Sequence, residues 1–330
     1  MATVGTGVLN LADWAKRLDP DGKTATIVEI LNETNEVLED MAWVPGNLPT
    51  GHRTTVRTGL PTVAWRILNY GVAQSKSRSV QVTDTCGMLE AYSKIDKSLA
   101  DLNGNTAEFR LSEDRPFLEA MNQEMASTLF YGNTSTDPEE FLGLAPRYSS
   151  LSAENADNIV TGGSDDTDNT SIWLVVWGPN TCHGIFPKGS MAGLQHQDLG
   201  EDTLTDAAGG EYQGYRAHYK WDAGLCLRDW RYVVRICNID VSDLAKDASG
   251  DSADIQDLLD QALEIPPNLR MGTPVIYCNK TIRSILRRQV KRVGNIRLNL
   301  DNFEGKQILS YDGIPVRRCD AILDTEALVS

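Results

Sequence analysis

Period-two patterning is strongest between 214 and 240, GYRAHYKWDAGLCLRDWRYVVRICNID. Tyr215, Ala217, Tyr219 and Trp221 fall on one side of an extended chain, and Arg216, His218, Lys220 and Asp222 on the other. Alternation with aromatic residues on one side predicts a half-buried strand. Asp222-Ala223-Gly224 predicts a break, and 225–239 a second strand with Trp230, Tyr232, Val234 and Ile236 on one face. The two strands are antiparallel or continuous through a bend. Arg231 and Arg235, interleaved along the second, suit carboxylates on neighbouring strands or chains. An ordinary antiparallel sheet in any α+β protein fits the same pattern.

Helical periodicity appears in four places. Over 24–41, Ile27, Ile30, Leu31, Val37, Leu38 and Met41 share a stripe. The clearest helix spans 112–131, with Ser112 or Asp114 as cap and Pro116 in the first turn. Phe117, Met121, Met125 and Leu129 form its stripe, Leu118 widens it, and Gly132 ends it. A methionine stripe of this kind reads as core. A short acidic helix at 254–263 stops at Pro266-Pro267, and 280–293 carries Ile282, Ile285, Leu286, Val290 and Val293. Further strands are expected at 171–177 (buried on both faces), 183–188, 273–279, and 307–311 with 314–322 around an Asp312-Gly313 turn.

Residues 42–105 differ. Pro45-Gly46, Pro49, Gly51, Gly59 and Pro61 punctuate short β-prone runs at 53–57, 62–68, 79–83 and 87–95. With little apolar alternation, this stretch buries little of itself. It reads as an excursion of hairpins that draws stability from neighbours. Trp43, Trp65, Tyr70 and Tyr92 argue against simple disorder. Residues 1–23 read as a loose arm and 247–251 as a linker.

Composition narrows the function classes. The 330 residues are 41% hydrophobic and 23% charged, with no apolar run of membrane-spanning length and no secretory signal at the start. A net charge of −15 argues against nucleic-acid binding as the main activity. Cysteines at 86, 182, 226, 237, 278 and 319 lack disulfide or zinc spacing and read as reduced, mostly buried thiols. His52, His183, His196 and His218 stand far apart, and no nucleophile elbow, metal motif or phosphate loop is present. A hydrolase using His183 or His218 is therefore a minor alternative. The acidic tract at 162–169 lacks the glycine and closing glutamate of a calcium loop and reads as solvated. Lys280, Arg283, Arg287, Arg288, Lys291, Arg292 and Arg297 cluster. In so acidic a chain they fit a salt-bridged face or a subunit contact, with Asp254, Asp257 and Asp260 as candidate partners.

Several blocks carry a resemblance: FYGN (130–133) and FLGL (141–144) after the long helix, WGPNTCHGIFPKGSMAGL (177–194), YKWDAGLCLRDWRYVVRICNID (219–240) and YDGIPVRRCDAIL (311–323). Together they resemble tailed-bacteriophage major capsid proteins, above all those of short-tailed phages. The resemblance implies an α+β fold of the Hong Kong ninety-seven type. It implies an N-terminal arm (1–41), an extended loop (42–105), a peripheral domain (106–240) and an axial domain (241–330). The compact unit at 273–323 would form the axial core, reordered along the chain relative to the commoner arrangement, with 215–239 as a long antiparallel pair at the periphery. The implied function is a non-enzymatic, self-assembling subunit of an icosahedral head, located in the virion and made in the host cytoplasm. Its partners would be copies of itself in hexamers and pentamers, a scaffold, a portal and a decoration protein, with double-stranded DNA enclosed without sequence-specific binding. No membrane, cofactor or metal is implied. No scaffolding segment is evident in the chain, and no Lys–Asn pair for a crosslink can be assigned. Trp65 and the residues of the basic and acidic clusters become candidate subunit contacts. An encapsulin-like compartment shell or another virion component is the alternative.

Overall fold

A computed structural model describes residues 33–102, 106–164, 167–206, 208–246, 254–290, 298–303 and 306–330. The strands in chain order are β1 (Trp43–Pro45), β2 (Gly51–Gly59), β3 (Arg78–Asp96), β4 (Ile159–Thr161), β5 (Asn169–Trp177), β6 (Cys182–Phe186), β7 (Gln195–Thr205), β8 (Glu211–Leu227), β9 (Val233–Asp240), β10 (Thr273–Cys278), β11 (Leu298–Phe303), β12 (Lys306–Tyr311) and β13 (Ile314–Arg318). Two compact units interleave along the chain. The described part of one centres on Met88–Ala126 and Gly193–Asp222; the other comprises Asn35–Gly87, Ser127–Ala192 and Ala223–Ser330.

In the first unit, β7 and β8 form a long antiparallel hairpin, from Thr205↔Glu211 to Gln195↔Lys220. The alternation read from the sequence holds here: Ala217 and Tyr219 are buried with Met121, against Leu89, Ala91, Phe117 and Trp221. Phe117 stacks on Tyr219, ring centroids 6.2 Å apart. Ile95, Leu99, Ala100 and Phe109 make a second cluster against Tyr215. Asp96 caps the short helix Lys97–Ala100 by accepting from the Ser98 N–H.

Several sequence expectations over the long helix and 215–239 need correction. The long helix runs Thr106–Tyr131, so Pro116 lies inside it and not in its first turn. Ser112 is no cap; its hydroxyl donates back to the Phe109 carbonyl at 2.7 Å. A proline inside a helix removes one backbone hydrogen bond and crowds the carbonyl four residues back; here buried Phe109 and Met121 anchor the helix on either side of it. Leu118 points out, 38% exposed, and does not widen the stripe. Finally, β8 does not break at Asp222-Ala223-Gly224. A Cβ on Gly224 would stand 2.7 Å from the Thr85 carbonyl oxygen, so this glycine serves close packing. The break falls later, in the turn Trp230–Tyr232, where Asp229 accepts from the Arg231 N–H. β9 then pairs with β4 and β5, so 215–239 is not an antiparallel pair.

The second unit is built around β5, all nine of whose residues are buried. Antiparallel β9 and β10 flank it, Val175 standing opposite Val233 and Val275. β10 pairs in parallel with β13, Ile276 opposite Val316, and the helix Lys280–Val290 lies in the connection. β12 and β13 meet through Asp312 (φ 48°) and Gly313 (φ 79°), the left-handed pair of a type I′ hairpin. Ile255, Leu258 and Leu259 from the helix Ile255–Glu264, and Ile282, Ile285 and Leu286 from Lys280–Val290, join Ile172, Leu174, Val234, Ile236, Ile276 and Val316 in one core. Residues on either side of 240 therefore share that core. β13 ends at Arg318, short of the expected 322.

β2 and β3 form the extended hairpin, paired from Gly51↔Thr85 to Gly59↔Arg78. No strand forms over 62–68; residues 60–77 make the hairpin's non-strand tip. The expected helix at 24–41 lies mainly outside the described residues, which begin its last turn at Val37–Asp40. The 1–23 arm and the 247–251 linker lie outside them too.

Candidate assembly surface

The hairpin tip is the described surface that physical chemistry marks most strongly. Leu60 is 83% exposed, Val63 88%, Ile67 74% and Leu68 81%, and Trp65 is fully exposed at 103%. A contiguous apolar run of this kind marks an interaction site on a soluble protein. The tip still has internal order. The Ser75 hydroxyl donates to the Thr62 carbonyl at 2.7 Å, and the Tyr70 N–H donates to Ile67 across Asn69, whose φ is 69°.

The base of the hairpin is fixed from several directions. Asn47 brackets Arg53, donating to its carbonyl at 2.7 Å and accepting from its N–H at 2.8 Å. Asp84 pairs with Arg147 at 2.8 Å, both side chains largely buried. Arg147 also donates to the carbonyls of Leu142, Gly143 and Leu225. The hairpin therefore leaves the unit as a rooted arm with an apolar tip.

The predicted basic and acidic candidates divide. Arg287 and Arg288 are exposed. Arg283 is engaged within the chain by Glu36 at 3.4 Å. Arg292, Lys291 and Arg297 lie outside the described residues. Asp254 caps its helix, accepting from the N–H groups of Gln256 and Asp257. Asp257 accepts from Gln261, and Asp260 accepts from the Tyr311 hydroxyl at 2.5 Å. The described structure does not bring the arginines onto these aspartates within one chain.

Of the two histidines weighed for hydrolysis, His183 is only 1% exposed, and burial and then nearby His52 hold its pKa below the usual histidine value. His218 stacks on Tyr92 at 4.4 Å and contacts Glu90 at 3.2 Å. None of the six cysteines forms a disulfide, and all but Cys86 are buried. Sequence spacing missed one grouping: His52, His183 and Cys226, from three different strands, converge.

A family model for the major capsid protein GP7 matches residues 19–330. The chain belongs to this family of phage major capsid proteins. Its fold also aligns with the capsid protein of bacteriophage Epsilon15 at a TM-score of 0.78 and 41% identity, covering 100% of this chain and 99% of that one. The capsid protein of bacteriophage JBD30 aligns at a TM-score of 0.52 and 12% identity, over 91% of this chain and 96% of that one, a likeness of fold. Among curated proteins, none is similar enough in sequence to match. The chain is thus a structural subunit of a tailed-phage capsid, located in the virion, with the capsid fold that its sequence blocks resemble. Shell assembly from copies of this subunit follows from that membership. No helix among the described residues is long and apolar enough to cross a membrane.

Proposed function

We propose that the chain builds an icosahedral head as hexamers and pentamers, and that residues 60–77 lie across a neighbouring subunit. The exposed apolar tip, with Trp65 at its centre, carries this reading. Burying one such side chain contributes roughly 1.5–3 kcal/mol, and a closed shell repeats the contact at every subunit. The segment 42–105 serves as the extended loop and 1–41 as the N-terminal arm. Because Val233–Asp240 shares its core with the helices after it, we draw the peripheral domain as Met88–Ala126 with Gly193–Asp222. The axial domain is drawn around the β5 core, in a reordered chain.

Exposed Arg287 and Arg288 face acidic groups of an adjacent subunit in this reading, with Asp254 and Asp257 as partners. Arg283 and Asp260, already engaged within the chain, are weaker candidates. The net charge of −15 suits a shell that encloses double-stranded DNA without gripping it. A separate scaffold, a portal and a decoration protein complete the partners. The subunit needs no reaction of its own. Hydrogen exchange of free subunit against assembled shell tests the loop. Amides over 60–77 should exchange freely in the subunit and gain protection in the shell; equal exchange in both states sinks the proposal.

A further inference from the structure

Four strands meet at the hairpin base. His52 on β2 stands opposite Asp84 on β3, and His183 on β6 stands opposite Cys226 on β8. These two cross-strand pairs converge: the rings of His52 and His183 are 5.8 Å apart and nearly perpendicular. Ligand atoms of His52, His183 and Cys226 all lie within 4.8 Å of one another.

The polar atoms here are unusually placed. Neither ring nitrogen of His183 completes a hydrogen bond, nor does His52 Nδ1, and all three atoms are buried; the Cys226 thiol lies against the Asp84 carboxylate. His183 is 1% exposed and Asp84 5%. The Gly178 carbonyl lies near His183, outside hydrogen-bond geometry. Native interiors pair their buried polar atoms, and such a cluster calls for a specific explanation.

We propose that His52, His183 and Cys226 are the protein ligands of a divalent-cation site, best suited to zinc. Two imidazole nitrogens and one sulfur are the borderline-soft donors zinc takes in tetrahedral geometry. Bonds of about 2.0–2.3 Å place tetrahedral ligand atoms roughly 3.3–3.8 Å apart, so closure by about an ångström completes the set. Asp84, paired with Arg147, stands beside Cys226 and outside the three-residue set, which leaves the fourth position to a water. A cation supplies positive charge beside this carboxylate and lets Cys226 bind as thiolate, as metal-bound thiols do. The site ties β2 to β6 and β8, clamping the root of the hairpin whatever its tip contacts. It is independent of the assembly reading.

The test uses the full chain with metal ions alone. After equilibration with equimolar zinc and desalting, elemental analysis should give about one zinc per chain. Cobalt(II) in its place should give a thiolate-to-cobalt charge-transfer band and tetrahedral visible bands. Cys226→Ser should remove the charge-transfer band, and Cys86→Ser should leave it. Wild-type protein that retains less than about a tenth of an equivalent and shows no cobalt band overturns the site. So does a charge-transfer band that survives Cys226→Ser. The wild-type measurement stands by itself if a variant misfolds.

Discussion

At the scale of single residues, Arg235 shows how a charge is kept inside the core. Its guanidinium pairs with Glu326 at 2.7 Å, with side chains 5% and 4% exposed. It also donates to the Tyr148 carbonyl at 2.8 Å and the Ser171 hydroxyl at 3.1 Å, and lies 5.1 Å from the centre of the Trp173 ring. Glu326 accepts further from the hydroxyls of Tyr131 and Ser171. Burial and then the Glu326 charge push the Tyr131 hydroxyl well above the usual tyrosine value, so it stays a donor. This network fastens the last residues of the chain to β5 and β9. Breaking one side strands a buried charge, and Arg235→Ala or Glu326→Ala should cost about 3–5 kcal/mol in denaturant unfolding of the subunit. A cost below about 1 kcal/mol would show that the pair is dispensable. The alternation of 225–239 made Arg235 visible as an odd charge on an apolar strand. Its partner, 91 residues onward, left no mark in the local pattern.

Among the elements, β7 was the least legible. Its sequence, QHQDLGEDTLT, is polar at most positions, and most of its side chains are exposed. It forms a strand because β8 offers it a partner and because charges cross between neighbours. Arg216 pairs with Asp202 at 2.5 Å, Arg110 with Asp198 at 2.7 Å, and Lys97 with Glu201 at 2.8 Å. β8, with aromatic residues on one face, could be read; a strand stabilised by paired surface charges could not. Asp198 titrates below its ordinary 3.8, held by the Arg110 hydrogen bond and then the Gly200 N–H. Asp202 does likewise through Arg216 and the Thr203 N–H. A depressed folded-state pKa contributes stability above the ordinary value and loses it as pH falls through the depressed one. The subunit's melting temperature should therefore drop as pH falls below about 4, and the drop should shrink in an Asp198→Asn, Asp202→Asn double variant. Identical acid profiles for the two proteins would remove these pairs from the account.

For the whole molecule, the blocks that revealed the family are places where backbone geometry leaves little choice. In FYGN and FLGL, the Gly143 N–H donates to the Gly132 carbonyl at 2.8 Å. A Cβ at either glycine would come within 2.5–2.6 Å of a backbone oxygen. The block at 311–323 contains the Asp312-Gly313 turn, whose two left-handed residues fix the hairpin. Such constraints survive as readable motifs. The interleaving of the two units left no comparable trace, because β3, β8 and the long helix each pass from one unit into the other without a change in composition. Nor did the convergence of His52, His183 and Cys226, which depends on strand register between segments far apart in sequence. In the proposed head this chain forms the shell and its rooted hairpin covers a neighbour. A cryo-electron-microscopy reconstruction of purified phage heads, with the main protein band identified by mass spectrometry, tests it most directly. We expect a closed shell built of this chain, with Trp65 buried on an adjacent subunit and Arg287 and Arg288 against a neighbour's acidic groups. A shell built of another protein, or density placing 60–77 in solvent, would contradict it.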